Sequence, residues 1–430
     1  MFERDIPSWY LDAKFGIFIH WGAYSVPAWA VPIGELGAVD HDEFMVHSPY
    51  AEWYANTTRI AGSPAAQHHA RTYGGAPYES FLDAWRAERF DPAGWASFFA
   101  GVGARYVVLV AKHHDGICLW DAPESGTYNT VHRGPRRDLV AEVAESVRAN
   151  RMRFGTYYSG GLDWHKTDLP PISRAAHLST HRPVDPGYAA YAQRHVEDLV
   201  HRFRPDVLWN DINWPDAGKA GLVEVFRRYY DTVPDGVVND RWEAGWSDFL
   251  TSEYSALTDR EDTGRPWEHI RGIGLSFGYN AVETAEHYLT GAQLVHRLVD
   301  VVTRGGNLLL NVGPCADGTL PELQCRPLRG LGRWLSVNGE SIFDSRPWPG
   351  PRRPGVLGWT ATDTHVFAHV DATAVTLPYA DAGTVELLGY GPLATERAPD
   401  GLLCALPAGV STEYPSVLRL SKPREGGPAR

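Results

Sequence analysis

Three apolar runs in this chain each stop abruptly at a polar cluster, and no other feature constrains the fold as strongly. They are Phe15-Gly-Ile-Phe-Ile-His20-Trp21-Gly22, Tyr106-Val-Val-Leu-Val-Ala-Lys112-His113-His114-Asp115-Gly116 and Asp206-Val-Leu-Trp209-Asn210-Asp211. A short continuous apolar run bounded by turn signals reads as a strand buried on both faces. Polar, reactive side chains at the C-terminal ends of such strands stand where barrel and open α/β enzymes carry their chemistry. Several in order point to an enzyme.

Strand-like and helix-like segments alternate from residue 14 to 312. The strand candidates are 14–20, 105–111, 152–158, 206–211, 236–239, 248–252, 270–277 and 307–312, of which 236–239 and 248–252 are weak. Asp91-Pro92 supplies an N-cap and a Pro at the first helical position for 92–102. Leu139, Val143 and Val147 recur at helical spacing in 137–149, and Tyr191, His195, Leu199 and Arg202 share a face in 187–203. Thr290 and Gln293 form a capping box that opens a further helix ended by Gly305-Gly306. Alternating βα units predict a parallel sheet closed into a (β/α)8-like barrel. The region 22–90 breaks the rhythm and reads as substrate-side loops with short helices.

Beyond Trp334-Leu335 the periodicity changes. The Pro/Gly-rich stretch Pro347 to Pro354 is a connector, and short alternating runs follow at 356–360, 365–370, 374–378, 384–390, 402–406 and 416–420. These predict a small C-terminal antiparallel β-sandwich, giving a catalytic domain over 1–345 and a second domain over 346–430. Residues 421–430 read as a disordered tail.

A net charge of −12 argues against nucleic acid or an anionic membrane as partner. No apolar stretch is long enough for a membrane span. Met1 to Pro7 carries neither a basic stretch nor an apolar run, so the cytoplasm is the expected compartment. Cys118, Cys315, Cys325 and Cys404 have neither metal-ligand nor disulfide-framework spacing. Homo-oligomerisation stays open.

Taken together, the clusters resemble the α-L-fucosidases of glycoside hydrolase family 29. The resemblance rests on Trp9-Tyr10 to Gly22, Glu52-Trp53-Tyr54, Lys112 to Gly116, Trp209-Asn210-Asp211, Arg271 to Asn280, Asn307 to Pro314 and Asn338-Gly339-Glu340. It spans most of residues 9–345 and fades in the sandwich. It implies a barrel with a β-sandwich and a retaining mechanism that uses no metal or other cofactor, acting on a fucoside or fucosylated oligosaccharide. Ile117 and Ala122 depart from the family's usual Phe and Ser, which bears on leaving-group preference.

Retaining hydrolysis needs two carboxyl groups, one as nucleophile and one as acid and then base. Asp211 ends a strand; read alone it suits a helix N-cap, and the resemblance makes it the nucleophile. Glu253 resembles the acid/base, with Glu268 and Glu52 as rivals, each of which could equally be a solvated surface carboxylate. By resemblance His20, Glu52, His113, His114, Trp209 and Arg241 are polar sugar contacts, and Phe18, Tyr158, Trp209 and Phe277 wall the pocket around the sugar's methyl group. Neighbouring residues of a regular strand point to opposite faces, so His113 and His114 both reach the sugar only if the strand ends or kinks there. Two other classes compete. One is a metal-dependent barrel hydrolase using His20, His113, His114 and Asp211, which lacks the His-x-His pair expected at its first strand. The other is a sugar-binding protein on a decayed hydrolase scaffold.

Overall fold

The computed structural model describes residues 2, 4–254, 264–379 and 383–422. Eight strands make one sheet: β1 (Phe15–Ile19), β2 (Tyr106–Lys112), β3 (Arg153–Ser159), β4 (Val207–Asp211), β5 (Val237–Val238), β6 (Leu250–Glu253), β7 (Trp267–Gly272) and β8 (Gly306–Val312). Their order is β5-β4-β3-β2-β1-β8-β7-β6. The pairs from β1 to β5, and β6 with β7, run parallel. Every residue of β1, β2, β4, β7 and β8 is buried, and for β1, β2 and β4 this is why they read as apolar runs in the sequence. The expected (β/α)8-like architecture is the one observed.

The two weak strands sit at the sheet's ends, β5 and β6. Their seam is closed by irregular contacts in place of a ladder. Asp248 accepts from Val238 N at 2.8 Å, its own N–H donates to Val238 O at 2.9 Å, and Asp240 accepts from Thr251 N at 3.0 Å. The expected strand over 270–277 is displaced: β7 ends at Gly272. The Glu283 carboxylate takes the N–H groups of Leu275 and Ser276 at 3.1 and 2.8 Å, turning this glycine-punctuated segment away from the sheet.

The capped helices form where expected. Asp91, Asp138 and Asp185 each accept first-turn N–H groups of helices Pro92–Gly101, Leu139–Ala149 and Pro186–Phe203, and Thr290 and Gln293 complete their capping box before Gly291–Thr303. The region 22–90 folds into short helices, the longest of them Pro64–Tyr73.

By compactness the chain divides into Met1–Ser8, Phe15–Tyr288 and Leu309–Cys325 as one unit, and Trp9–Lys14, Leu289–Leu308 and Arg326–Arg430 as another. The second unit holds antiparallel sheets of six and three strands. Their core is built from Trp359, Val366, Ala368, Leu377, Leu402 and Leu418 among others. Within that unit, Asn307 donates to Tyr10 O at 2.7 Å and Arg346 pairs with Asp12 at 2.7 Å, so distant stretches of sequence meet. Strands Arg346–Pro347, Gly391–Pro392 and Thr395–Ala398 were not expected; each is too short or too polar to alternate visibly. The expected tail lies, from residue 423 on, outside the described residues. Among the described residues no helix is long and apolar enough to cross a membrane.

Candidate active site

Asp211 and Glu253 are the last residues of β4 and β6, and His20, His113-His114 and Arg241 follow the ends of β1, β2 and β5. C-terminal ends of parallel strands open at one mouth, so all of these residues converge there. The chain turns sharply after each carboxylate. Ile212 and Asn213 have φ of 54° and 65°, and Tyr254 has φ of 41°. Left-handed backbone is costly for β-branched and bulky residues and persists where the surroundings over-determine it, commonly at functional sites. Around Ile212 they do: Gly161 donates its N–H to Asp211 O at 3.2 Å. A Cβ on Gly161 would lie 1.5 Å from Ile212 O, so only glycine lets the loop pass there.

One guanidinium holds both carboxylates. Arg241 Nη1 donates to Asp211 Oδ1 and Nη2 to Glu253 Oε2, each at 2.9 Å. Its Nε donates to Thr251 Oγ1 at 3.1 Å, and the fork lies over the Trp209 ring at 4.8 Å. The second oxygen of each carboxylate meets a phenol: Tyr157 donates to Asp211 Oδ2 at 2.7 Å, and Tyr50 to Glu253 Oε1 at 3.1 Å. Burial alone would raise the Asp211 carboxyl, but the Arg241 guanidinium, with the Tyr157 hydroxyl, holds it below the usual range. Asp211 is therefore ionised at neutral pH.

The histidines are neutral and present lone pairs. Burial pushes His20 down to about 4 and His114 to about 3, and takes His113 well below the ordinary value. Asn311 donates to Phe277 O at 2.6 Å, leaving its Oδ1 to accept from His20 Nδ1, also at 2.6 Å. Ser159 donates to Leu162 O, so His114 Nδ1 donates to Ser159 Oγ; both contacts are 2.7 Å. The His20 and His114 rings thus carry their protons on Nδ1 and keep Nε2 as an acceptor. The His114 Nε2 lies 3.9 Å from Asp211 Oδ2. β2 ends at Lys112 after a register shift against β3, which lets His113 and His114 lie with ring centroids 3.9 Å apart.

Aromatic rings wall the site. Phe18 packs on His20, Tyr157 and Trp209 at 4.6–5.7 Å, and Phe277 on His20 at 5.0 Å. Glu52 lies buried beside them, accepting from Gly278 N at 2.7 Å and Ser276 Oγ at 3.3 Å. Burial raises its carboxyl to about 7.

Three expectations change. Tyr158 does not join the wall: its hydroxyl meets His195 Nδ1 at 3.2 Å on the helix side of β3. The alternation of a strand gives the inward place to its neighbour Tyr157. The Trp209 Nε1 donates to Glu268 at 3.0 Å, so Trp209 offers a ring to the pocket and no polar edge. Glu268 is no surface carboxylate; it is completely buried in β7, two residues before Ile270, the partner of Glu253, and is held by Tyr106 at 2.6 Å as well. Glu52 is likewise buried.

Residues 1–340 match the family described as Alpha-L-fucosidase. The chain belongs to this family. It is accordingly a glycoside hydrolase. An α-L-fucosidase of Dictyostelium discoideum is 34% identical over 358 residues, covering 80% of this chain and 73% of its own. A solved α-L-fucosidase structure superposes with a TM-score of 0.92 at 44% identity, covering 98% of each chain. The Thermotoga maritima α-fucosidase in complex with fucose gives 0.87 at 42% identity and 97% of each chain.

Sequence reasoning missed Tyr157, Tyr50, Asn311 and Asn239. For Tyr157 a signal existed, since β4 places Trp209 inward and the register pairs Tyr157 with Trp209. Tyr50 sits in the irregular 22–90 region, where no periodicity tells which face a side chain takes. Among the described residues, no group of three or more His, Cys, Asp or Glu side chains is disposed to hold a metal ion.

Proposed function

We propose that this hydrolase removes terminal α-L-fucosyl groups with retention of configuration, through a covalent fucosyl-enzyme on Asp211, with Glu253 as acid and then base. The observation that carries the reading is the Arg241 fork joining two strand-end carboxylates at one mouth. Retaining pairs stand about 5–5.5 Å apart, with no room between them for a water on the opposite face. The fixed, ionised Asp211 suits attack on C1. Glu253 protonates the departing oxygen, then takes a proton from the water that releases the sugar. Neutral histidine Nε2 atoms accept from sugar hydroxyls, and Phe18, Trp209 and Phe277 shield a methyl group. That the similar Thermotoga maritima structure holds fucose supports this choice of sugar.

The test is proton NMR of an aryl α-L-fucoside during hydrolysis. The α-anomer of free fucose should appear first and mutarotate later. Initial release of the β-anomer would reject retention.

A further inference from the structure

The two oxygens of Glu253 have unlike partners. Oε2 faces the Arg241 guanidinium, which donates and cannot accept, at 2.9 Å. A proton on Oε2 would point hydrogen at hydrogen. Oε1 faces the Tyr50 hydroxyl at 3.1 Å, and a hydroxyl can donate or accept. We infer that Oε1 is the oxygen that carries the catalytic proton, and that Tyr50 is a positioning residue that stabilises Oε1 as this proton leaves. The inference rests on the reading of Glu253 as acid/base.

In the first step the Oε1 proton passes to the glycosidic oxygen. The C1–O bond breaks with its electron pair going to that oxygen, and an Asp211 oxygen bonds to C1. Glu253 becomes a carboxylate, so the Tyr50 O–H bond to Oε1 strengthens as charge develops there. A bond that strengthens in the transition state raises kcat more than it lowers KM. In the second step Oε1 takes a proton from water as the water oxygen bonds to C1 and Asp211 departs.

Tyr50 is itself well held. Its ring packs against Phe44, Phe277 and Tyr254 with centroids 5.1, 5.3 and 6.2 Å away. The Tyr254 hydroxyl is fixed by Leu275 O and Gly272 N, both at 3.0 Å. Tyr50→Phe keeps this packing and removes only the hydroxyl. Burial and the carboxylates around it push the Tyr50 phenol far above its ordinary value, so it stays a neutral O–H throughout.

The experiment compares wild type, Tyr50→Phe and Glu253→Gln on an activated aryl α-L-fucoside and on an alkyl or oligosaccharide fucoside. Activated leaving groups need little proton assistance. Tyr50→Phe should lower kcat on the unactivated substrate roughly ten-fold or more, the range of a hydrogen bond to a charged group. On the activated substrate the first step should be nearly unaffected and KM similar for both. Equal losses on the two substrates, or none, with Glu253→Gln showing the leaving-group split, would overturn the inference. Were Glu253→Gln itself to show no split, the fault would lie in the choice of acid, and the Tyr50 role would fall with it.

Discussion

Surroundings give each ionisable residue in this chain its role. Glu253 and Glu268 occupy adjoining strands, yet one meets Arg241 at the mouth and the other is locked under Tyr106 and Trp209. Sequence alone left the two as rivals, because a glutamate's depth along a strand is not written in its neighbours. His369, in the β-sandwich unit, shows the same principle away from any site. Thr360 Oγ1 donates to Ser341 O at 2.7 Å, so it accepts from His369 Nε2 at 3.1 Å, and Nδ1 is buried with no partner among the described residues. Burial lowers this ring to about 3. The unfolded chain then takes up the proton first, near 6.5. Stability from this group is complete above that value and is lost as the pH falls towards about 3. Thermal unfolding followed at pH 7 and at pH 5 should show a shallower acid-side decline in His369→Gln than in wild type. The difference amounts to up to ~2 kcal/mol between pH 6.5 and 5. Parallel declines in the two proteins would remove His369 as a source of acid sensitivity.

Side-chain amides complete the strands where the backbone ladder stops. β5 has only two residues, paired with Val207 and Leu208. One residue on, Asn239 Oδ1 accepts from Asn210 N at 3.0 Å and its Nδ2 donates to Asn210 O at 2.9 Å, imitating a backbone peptide. Asn210 Nδ2 in turn donates to Arg241 O and Asn213 O at 2.8 and 2.9 Å. This rung holds β4 straight up to Asp211 and ties the arginine loop to it. Asn239→Ala should cost about 1–3 kcal/mol of stability, the penalty for unpaired buried backbone groups. It should also lower kcat more than it changes KM. Differential scanning calorimetry and steady-state kinetics would check both, and an unaltered kcat would show that β4 holds its aim unaided. Strand cores such as 106–112 and 207–211 were legible because burial on both faces leaves an uninterrupted apolar run. The side-chain rung, and the end of β7 at Gly272, were not: both depend on a side chain bonding to backbone outside its own strand, Asn239 to Asn210 for one and Glu283 to Leu275 and Ser276 for the other.

For the molecule as a whole, the order of strand ends reads directly from the chain, and with it most of the site. Asp211, Glu253, His20, His113, His114, Arg241, Phe18 and Phe277 meet at one mouth because each sits at or near the C-terminal side of its strand. The parallel winding then does the rest. Tyr158 failed because strand parity one residue either way exchanges the inner face for the outer. The β-sandwich strands were visible by alternation, except where two- and four-residue strands offer too little pattern. The central claim is that Asp211 attacks the sugar, and Asp211→Gly with azide tests it most directly. Hydrolysis should be abolished, and azide entering the vacated place should restore turnover of an activated α-fucoside and yield a β-fucosyl azide. Full hydrolysis by Asp211→Gly, or an α-fucosyl azide as the product, would contradict the account.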